Sequence, residues 1–296
     1  MTTAIKNQSH GTKMTESTFH NVNPLAAAVV LHEKEFIQFC ELIYRIAGIT
    51  LSSSKKPLVT SRLAKRLAHY GLRSYGEYFK MITANDGKAE LQMTVDLLTT
   101  NETHFFREPK HFDFLRQHIL PARTSGKTFR VWSAACSSGE EPYSIAMLLD
   151  EVLGVAPWEI VASDLNTKVL EMARHGHYPM ERMSEIPRNY LSKYCLKGVG
   201  SQDGTLLIER KLRERIQFKQ HNLNEAPPQL AEFDVIFLRN VMIYFDQNTK
   251  RQVVSRLLTL LRPGGYFLVG HSETLNGVNE DLRLVQPSVY QKPQIK

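Results

Sequence analysis

Between residues 31 and 98 apolar positions recur at spacings of three and four. Phe36, Phe39, Ile43 and Ile46 share one helical face that stops at Gly48, Pro57 opens a second helix, and two more follow over 75–83 and 89–98. A further helix over 110–119 turns Phe112, Leu115 and Ile119 inward before Pro121. Beyond residue 129 the pattern changes: short apolar runs at 129–134, 158–163, 233–238 and 266–270 predict strands, and helical patterns near 145–149, 169–174 and 252–261 alternate with them. That alternation predicts an open α/β sheet. Residues 176–230 interrupt it, with strand-like runs at 206–209 and 216–219 and a Gly-containing turn over 197–205, which predicts a small antiparallel insertion. Arg262-Pro263-Gly264-Gly265 reads as a turn, and 282–285 with 288–291 as a terminal antiparallel pair. The domain reading is a polar, disordered leader over 1–24, an all-helical domain over 25–100, and an α/β domain over 101–296 with its insertion at about 180–225.

The stretch 129–149, FRVWSAACSSGEEPYSIAMLL, reads as strand, tight loop and helix. Small side chains at Ala134, Ala135, Ser137, Ser138 and Gly139 let a ligand approach the backbone, and the helix start presents unpaired N–H groups at the same place. Read alone, it is equally an ordinary strand-to-helix connection, because it lacks the G-x-G-x-x-G of a dinucleotide fold. Asp164 ends the second strand, where an acidic side chain can accept a pair of ribose hydroxyls; Asp164 or Asn166 could instead cap the next helix. Arg239, Asn240 and Tyr244 follow the strand at 233–238, and open α/β sheets bind ligands at such carboxyl ends.

Composition narrows the setting. Hydrophobic residues make up 42% and charged residues 23%, as in globular proteins. No apolar run reaches the ~18 residues of a membrane helix, so a cytoplasmic protein without membrane insertion is expected. Three scattered cysteines, Cys40, Cys136 and Cys195, suggest neither a disulfide framework nor a metal knuckle, and no metal is expected. Cys136 reads as a small loop filler rather than a nucleophile. The net charge of +7 points to an acidic partner. On the second helix Arg62, Lys65, Arg66, His69 and Arg73 fall within one face, and residues 51–76 contain no Asp or Glu. Such a face is either solvated or a docking surface, and the missing acidic partners favour docking.

Taken together, TTNETHFFRE (99–108), VWSAACSSGEEPYSIA (131–146), ASDLN (162–166), FLRNVMIYF (237–245) and RPGGYFLVGHSE (262–273), behind a helical N-terminal domain, resemble the bacterial chemotaxis receptor methyltransferases, the CheR family. The resemblance runs from about residue 31 to 292. It implies a Rossmann-like S-adenosylmethionine-dependent methyltransferase domain of α/β class with a small antiparallel β-subdomain insertion, preceded by an all-helical N-terminal domain. It further implies methylation of glutamate side chains on the cytoplasmic helices of chemoreceptors, with S-adenosylhomocysteine as product. Carried onto this chain, Asn101, Thr103, Arg107, one of Glu140 and Glu141 (with Glu141 favoured), Asp164, Asn222, Leu223, Arg239 and Asn240 match cofactor-contacting positions. Arg107 and Tyr244 are the residues expected to align the substrate, and Arg62, Lys65, Arg66 and Arg73 those expected to meet the receptor. In some members the β-subdomain binds a peptide at the receptor C-terminus. The competing classes are a nucleic-acid methyltransferase using the basic helix and a non-catalytic S-adenosylmethionine sensor; neither nucleic acid nor membrane is the expected partner.

Overall fold

The computed structural model describes residues 29–294, so the leader expected over 1–24 lies outside the described residues. The helical region comprises α1 (Glu33–Ala47), α2 (Lys56–Tyr70), α3 (Tyr75–Thr83) and α4 (Lys88–Leu98). Its core is made from the expected faces: Phe36, Phe39 and Ile43 of α1 pack with Val59, Leu63 and Leu67 of α2 and with Tyr75, Tyr78 and Ile82 of α3. Gly48 closes α1 at φ +70°, and a Cβ there would stand 2.5 Å from Thr249 Cγ2. The position needs glycine twice, for its left-handed backbone and for the close approach of the second domain.

Next come α5 (Pro109–Phe114), prolonged by a π-helical turn over Leu115–Ile119, then β1 (Phe129–Ala134), α6 (Glu140–Leu153), β2 (Trp158–Asp164) and α7 (Thr167–His175). An insertion follows, with β3 (His177–Pro179), α8 (Arg188–Tyr194), β4 (Cys195–Lys197) and β5 (Thr205–Ile208). The chain then returns through α9 (Arg210–Arg213), β6 (Ile216–Gln220), β7 (Phe233–Leu238), α10 (Gln247–Leu258), β8 (Leu261–Val269), β9 (Arg283–Gln286) and β10 (Val289–Gln291).

The main sheet has the order β6-β2-β1-β7-β8-β10-β9, parallel from β6 to β8 and antiparallel at β10 and β9. Strands β1 and β7 read as nearly unbroken apolar runs because both faces of the sheet are covered, one by a core that includes α5 and α6 and the other by a core that includes α10. The chain builds β2 and β6 on one side of β1 and then crosses to β7 and β8 on the other. Ligands enter such sheets at the carboxyl ends of the strands, beside that reversal.

Several expectations need correction. The insertion is the separate sheet β3-β5-β4 and its strands end at residue 208; the run 216–219 belongs to β6, a parallel edge strand of the main sheet paired with β2 from Ile160↔Ile216 to Asp164↔Gln220. The Arg262–Gly265 segment is no separate turn but the start of β8, taken in through an irregular register beside Phe233 and Val235. The helix read at 252–261 starts earlier, at Gln247, because the Asp246 carboxylate accepts the Thr249 N–H at 2.7 Å and caps it there.

The two regions meet along a seam. Ile49 and Phe245 form an antiparallel bridge, the Thr50 N–H donates to the Tyr244 carbonyl at 2.8 Å, and Asn222 Nδ2 donates to the Ile46 carbonyl at 2.8 Å. From the other side Thr167 donates to Asp96 through its N–H, at 3.0 Å, and its hydroxyl, at 2.6 Å.

Candidate active site

A cleft opens at the carboxyl ends of β1, β2 and β7, walled by the joint after α4 and roofed by Ile49, Leu51 and Leu58 of the helical region. Its floor is the loop after β1. There Ala135 (φ +71°) and Ser137 (φ +49°) hold left-handed backbone, and the Ala135 and Cys136 N–H groups both donate to the Ser163 carbonyl at 2.8 Å. Gly139 (φ +98°) lets the loop turn into α6, where a Cβ would meet Ala173 Cβ and Tyr178 Oη at 2.9 Å. Cys136 is buried, and burial pushes its thiol well above the ordinary range, so it fills space as a neutral group rather than acting as a nucleophile.

Asp164 lies at the end of β2 with one carboxylate oxygen accepting the Ser137 N–H at 2.8 Å and the other the Asn166 N–H at 2.9 Å. Burial raises its pKa to about 6 against the pull of these backbone donors. The capping role falls to Asn166, whose side-chain oxygen accepts the Lys168 and Val169 N–H groups at 3.0 and 3.2 Å. Asp164 is thereby left to the cleft.

At the end of β7 the buried Arg239 holds three groups. Its Nη1 donates to Glu141 Oε2 at 2.8 Å, and its Nη2 donates to Glu108 Oε2 at 2.9 Å and to the Arg107 carbonyl. Glu141 also accepts the Ser133 hydroxyl at 2.7 Å. Burial alone would raise the pKa of Glu108, but the Arg239 charge, with donors from the His271 backbone, Arg239 and Asn240, holds it at about 2. Asn240, at φ +56°, donates its amide to Glu108 Oε1 at 3.2 Å, and its N–H goes to Glu273 at 2.8 Å.

The cleft therefore brings together Asn101, Thr103, Arg107, Glu141, Asp164, Asn222, Leu223, Arg239, Asn240 and Tyr244. Glu140 is not among its lining residues. It is fully buried on the other side of the α6 start, paired with Arg182 at 2.8 Å and with the Ser138 hydroxyl at 2.7 Å, so it braces the inserted β-subdomain. The basic set expected on one face of α2 divides as well, and Arg73 is not on that face, because Gly71 at φ +63° closes the helix after Tyr70. Arg62 donates to the Leu97 and Thr99 carbonyls at 3.1 and 2.8 Å, and Arg66 grips Glu90 through two bonds of 2.7 and 2.6 Å. Only Lys65 and Arg73 of the four are exposed. The sequence reading missed Glu108, which braces Arg239 from behind although it ends the joint motif, and it missed Lys55, His221 and the apolar roof residues of the cleft, for which no local spacing gives a signal.

Comparison with known proteins decides the family. The family model described as "CheR methyltransferase, SAM binding domain" matches residues 101–291, and that described as "CheR methyltransferase, all-alpha domain" matches 34–99. The chain belongs to the CheR methyltransferase family. Relatives include the chemotaxis protein methyltransferase of Salmonella typhimurium, 41% identical over 88% of this chain and 91% of its own, and chemotaxis protein methyltransferase 2 of Pseudomonas aeruginosa, 44% identical over 87% and 92%. A third, from Borreliella burgdorferi, is 37% identical over 92% of this chain and 99% of its own. Among solved structures, the glycopeptide N-methyltransferase MtfA complexed with S-adenosylmethionine covers 66% of this chain and 61% of its own at 19% identity and a TM-score of 0.35, and nothing below rests on it.

S-adenosylmethionine is the cofactor of this domain, and the cleft of this CheR-family chain fits it chemically. Two carboxylates suited to its polar groups, Asp164 and Glu141, border the same space, and the left-handed backbone at Ala135 and Ser137 folds the loop away to leave it open. Leu165 and Leu223 give the cleft apolar wall for a flat base.

Proposed function

We propose that this protein transfers a methyl group to glutamate side chains on the cytoplasmic signalling helices of bacterial chemoreceptors, forming glutamate methyl esters and S-adenosylhomocysteine in the cytoplasm. The observation that carries the reading is the division of the cleft: Glu141 and Asp164 stand over the loop after β1, whereas Arg107 and Tyr244 offer a cation and a hydroxyl. Arg107 is tied only through Nη1, to the Glu102 carbonyl at 3.1 Å, and Tyr244 Oη has no hydrogen-bond partner among the described residues.

The bound cofactor supplies an electrophilic methyl group on a sulfonium. A glutamate, with an ordinary pKa of about 4.3, is already ionised near neutrality, so its oxygen attacks without a general base. Arg107 binds that carboxylate by charge-assisted hydrogen bonds, and Tyr244 orients it. Ile49, Leu51 and Leu58 exclude water from above. Arg239 neutralises Glu108 and Glu141 and so keeps the cofactor end of the cleft in shape.

Receptor recognition is assigned to the free part of the basic set, Lys65 and Arg73, opposite an acidic helix surface. In the β3-β5-β4 sheet both β3 and β4 are edges, and a receptor C-terminal peptide would dock there by adding a strand. Among the described residues no helix is long and apolar enough to cross a membrane.

The deciding assay incubates the protein with methyl-labelled cofactor and a receptor signalling fragment, with RNA as control. Base-labile label on the fragment, released as methanol, is the expected result. Label on RNA, or cofactor binding without turnover, would replace this reading with a nucleic-acid methyltransferase or a sensor.

A further inference from the structure

Behind Arg239, on the side away from the cofactor cleft, Glu108 faces two histidines. His111 of α5 is 1% exposed, and its Nε2 lies 2.7 Å from the Ser288 hydroxyl. That hydroxyl has a single proton, and it stands 2.6 Å from the Pro287 carbonyl, which can only accept. Ser288 therefore donates to Pro287 and accepts from His111 Nε2–H. In the neutral imidazole this leaves a lone pair on Nδ1. His111 Nδ1 is buried without a hydrogen-bond partner among the described residues, and it lies 3.4 Å from Glu108 Oε2. Two acceptors thus face one another across a gap that holds no proton.

His271, in the turn after β8, completes the cluster. Its Nε2 lies 3.9 Å from the same Glu108 oxygen, and the donor atoms of all three residues lie within 4.8 Å of one another. Ligands bound tetrahedrally at ~2.0–2.1 Å stand about 3.3–3.5 Å apart, so the Glu108–His111 separation already suits a shared ion and His271 needs only a small rotation. A cavity of about 470 Å³ bordered by His111, His271 and Ser288 gives access from solvent. Two imidazoles and a carboxylate are a donor set for zinc and its first-row neighbours rather than for magnesium or calcium.

We propose that Glu108, His111 and His271 bind a divalent first-row transition ion, with zinc the best chemical match. The ion ties the joint, α5 and the turn after β8 together and satisfies the lone pair on His111. Glu108 Oε2 is shared with Arg239 Nη2 at 2.9 Å, so the ion competes in part with a cation already present, and binding is moderate rather than extreme.

The test strips the full-length protein with a chelator and titrates it with Co²⁺ and then Zn²⁺, followed by calorimetry, visible absorption and thermal unfolding. Expected are a single equivalent of Co²⁺ with the ligand-field bands of a low-coordinate site, displacement of those bands by Zn²⁺, and a higher Tm with Zn²⁺. His271→Ala removes a half-exposed side chain, 48% accessible, so the fold survives, and it should weaken Co²⁺ binding at least about tenfold and abolish the bands. His118→Ala, in the wall of the same cavity, should change neither. No uptake, the spectrum of the hydrated ion, or a His271→Ala protein that binds like the parent would each overturn the proposal.

Discussion

The charges around Arg239 and those on the basic face of α2 are made of the same residue types and behave differently. Arg239 is held between Glu108 and Glu141 with its side chain 2% exposed, so its position is set by partners from the joint and from α6. On α2 the helical spacing puts Arg62, Lys65 and Arg66 side by side, with Arg73 just past the helix end, yet Arg62 and Arg66 are turned to partners on and after α4 while Lys65 and Arg73 stay in water. Spacing decides which side chains share a face. Whether a charge is a brace or a contact surface depends on what the neighbouring element offers it.

The sharpest break in this contrast is Arg239→Met. It leaves Glu108 and Glu141 without their cation in a site where they are 11% and 12% exposed, and the expected loss of stability is on the order of 3–5 kcal/mol, read by urea unfolding at neutral pH. Arg239→Lys should recover part of it. A loss below about 1 kcal/mol would place this network in the solvated class with Lys65.

Asp164 comes next. Asp164→Ala removes a charged acceptor and should cost on the order of 1.5–3 kcal/mol in S-adenosylhomocysteine affinity by calorimetry, with the fold intact. Its titration sharpens the test. With the folded pKa raised from 3.8 to about 6, the native state holds the proton more tightly than the unfolded chain, so the stability contributed by Asp164 is present below pH 3.8 and lost as pH rises through 6. The proposed contact of Asp164 with the ribose hydroxyls runs the other way, because it needs the ionised form as acceptor: affinity should fall as pH drops through about 6, and Asp164→Asn should abolish that slope.

In the basic set on and just after α2, Arg66→Glu should lower stability by roughly 1–3 kcal/mol by breaking the paired bond to Glu90, whereas Lys65→Glu with Arg73→Glu should leave the melting curve in place and slow receptor methylation in a salt-dependent way. Normal methylation by that double variant across ionic strengths would make the whole set structural or solvated.

The smallest expected effect is that of Tyr244→Phe. The ring and its packing remain, and loss of one positioning hydrogen bond of about 1 kcal/mol should slow single turnover roughly fivefold. At saturating cofactor the rate should stay flat from about pH 6 to 8, since no enzyme base acts. A limb that vanishes on substituting His104 or His221, both of which line the cleft, would overturn the unassisted attack.

Much of this architecture was legible from local pattern. The α-helical faces and the strands β1, β2 and β7 announce themselves because burial on one stripe or on both faces leaves a periodic or continuous apolar signature. Strand β6 was misassigned because Ile216–Gln220 carries only an edge strand's half-buried pattern, and its parallel partner β2 lies some fifty residues back along the chain, beyond the reach of local reading. The tie of Arg66 to Glu90 was hidden for the same reason: the acid-free window from 51 to 76 says nothing of a glutamate on α4. The choice between Glu140 and Glu141 turned on which way the first turn of α6 faces, which the two adjacent letters do not encode. Glu108 and His111 stand three residues apart, a spacing that can pair ligands, but nothing local links them to His271, since folding alone brings residue 271 to residues 108 and 111.

The bridge between Ile49 and Phe245, with the Thr50 N–H on the Tyr244 carbonyl, bears on how such enzymes can be re-engineered. The backbone that carries Tyr244 is stitched to the helical region, so that region helps to shape the cleft and is no detachable module. A chimera meant to redirect receptor choice by exchanging the first hundred residues must carry Gly48, Ile49 and Thr50 in register with Tyr244, Phe245 and Thr249. Grafts that trim the junction between them would release the backbone that holds Tyr244 in the cleft.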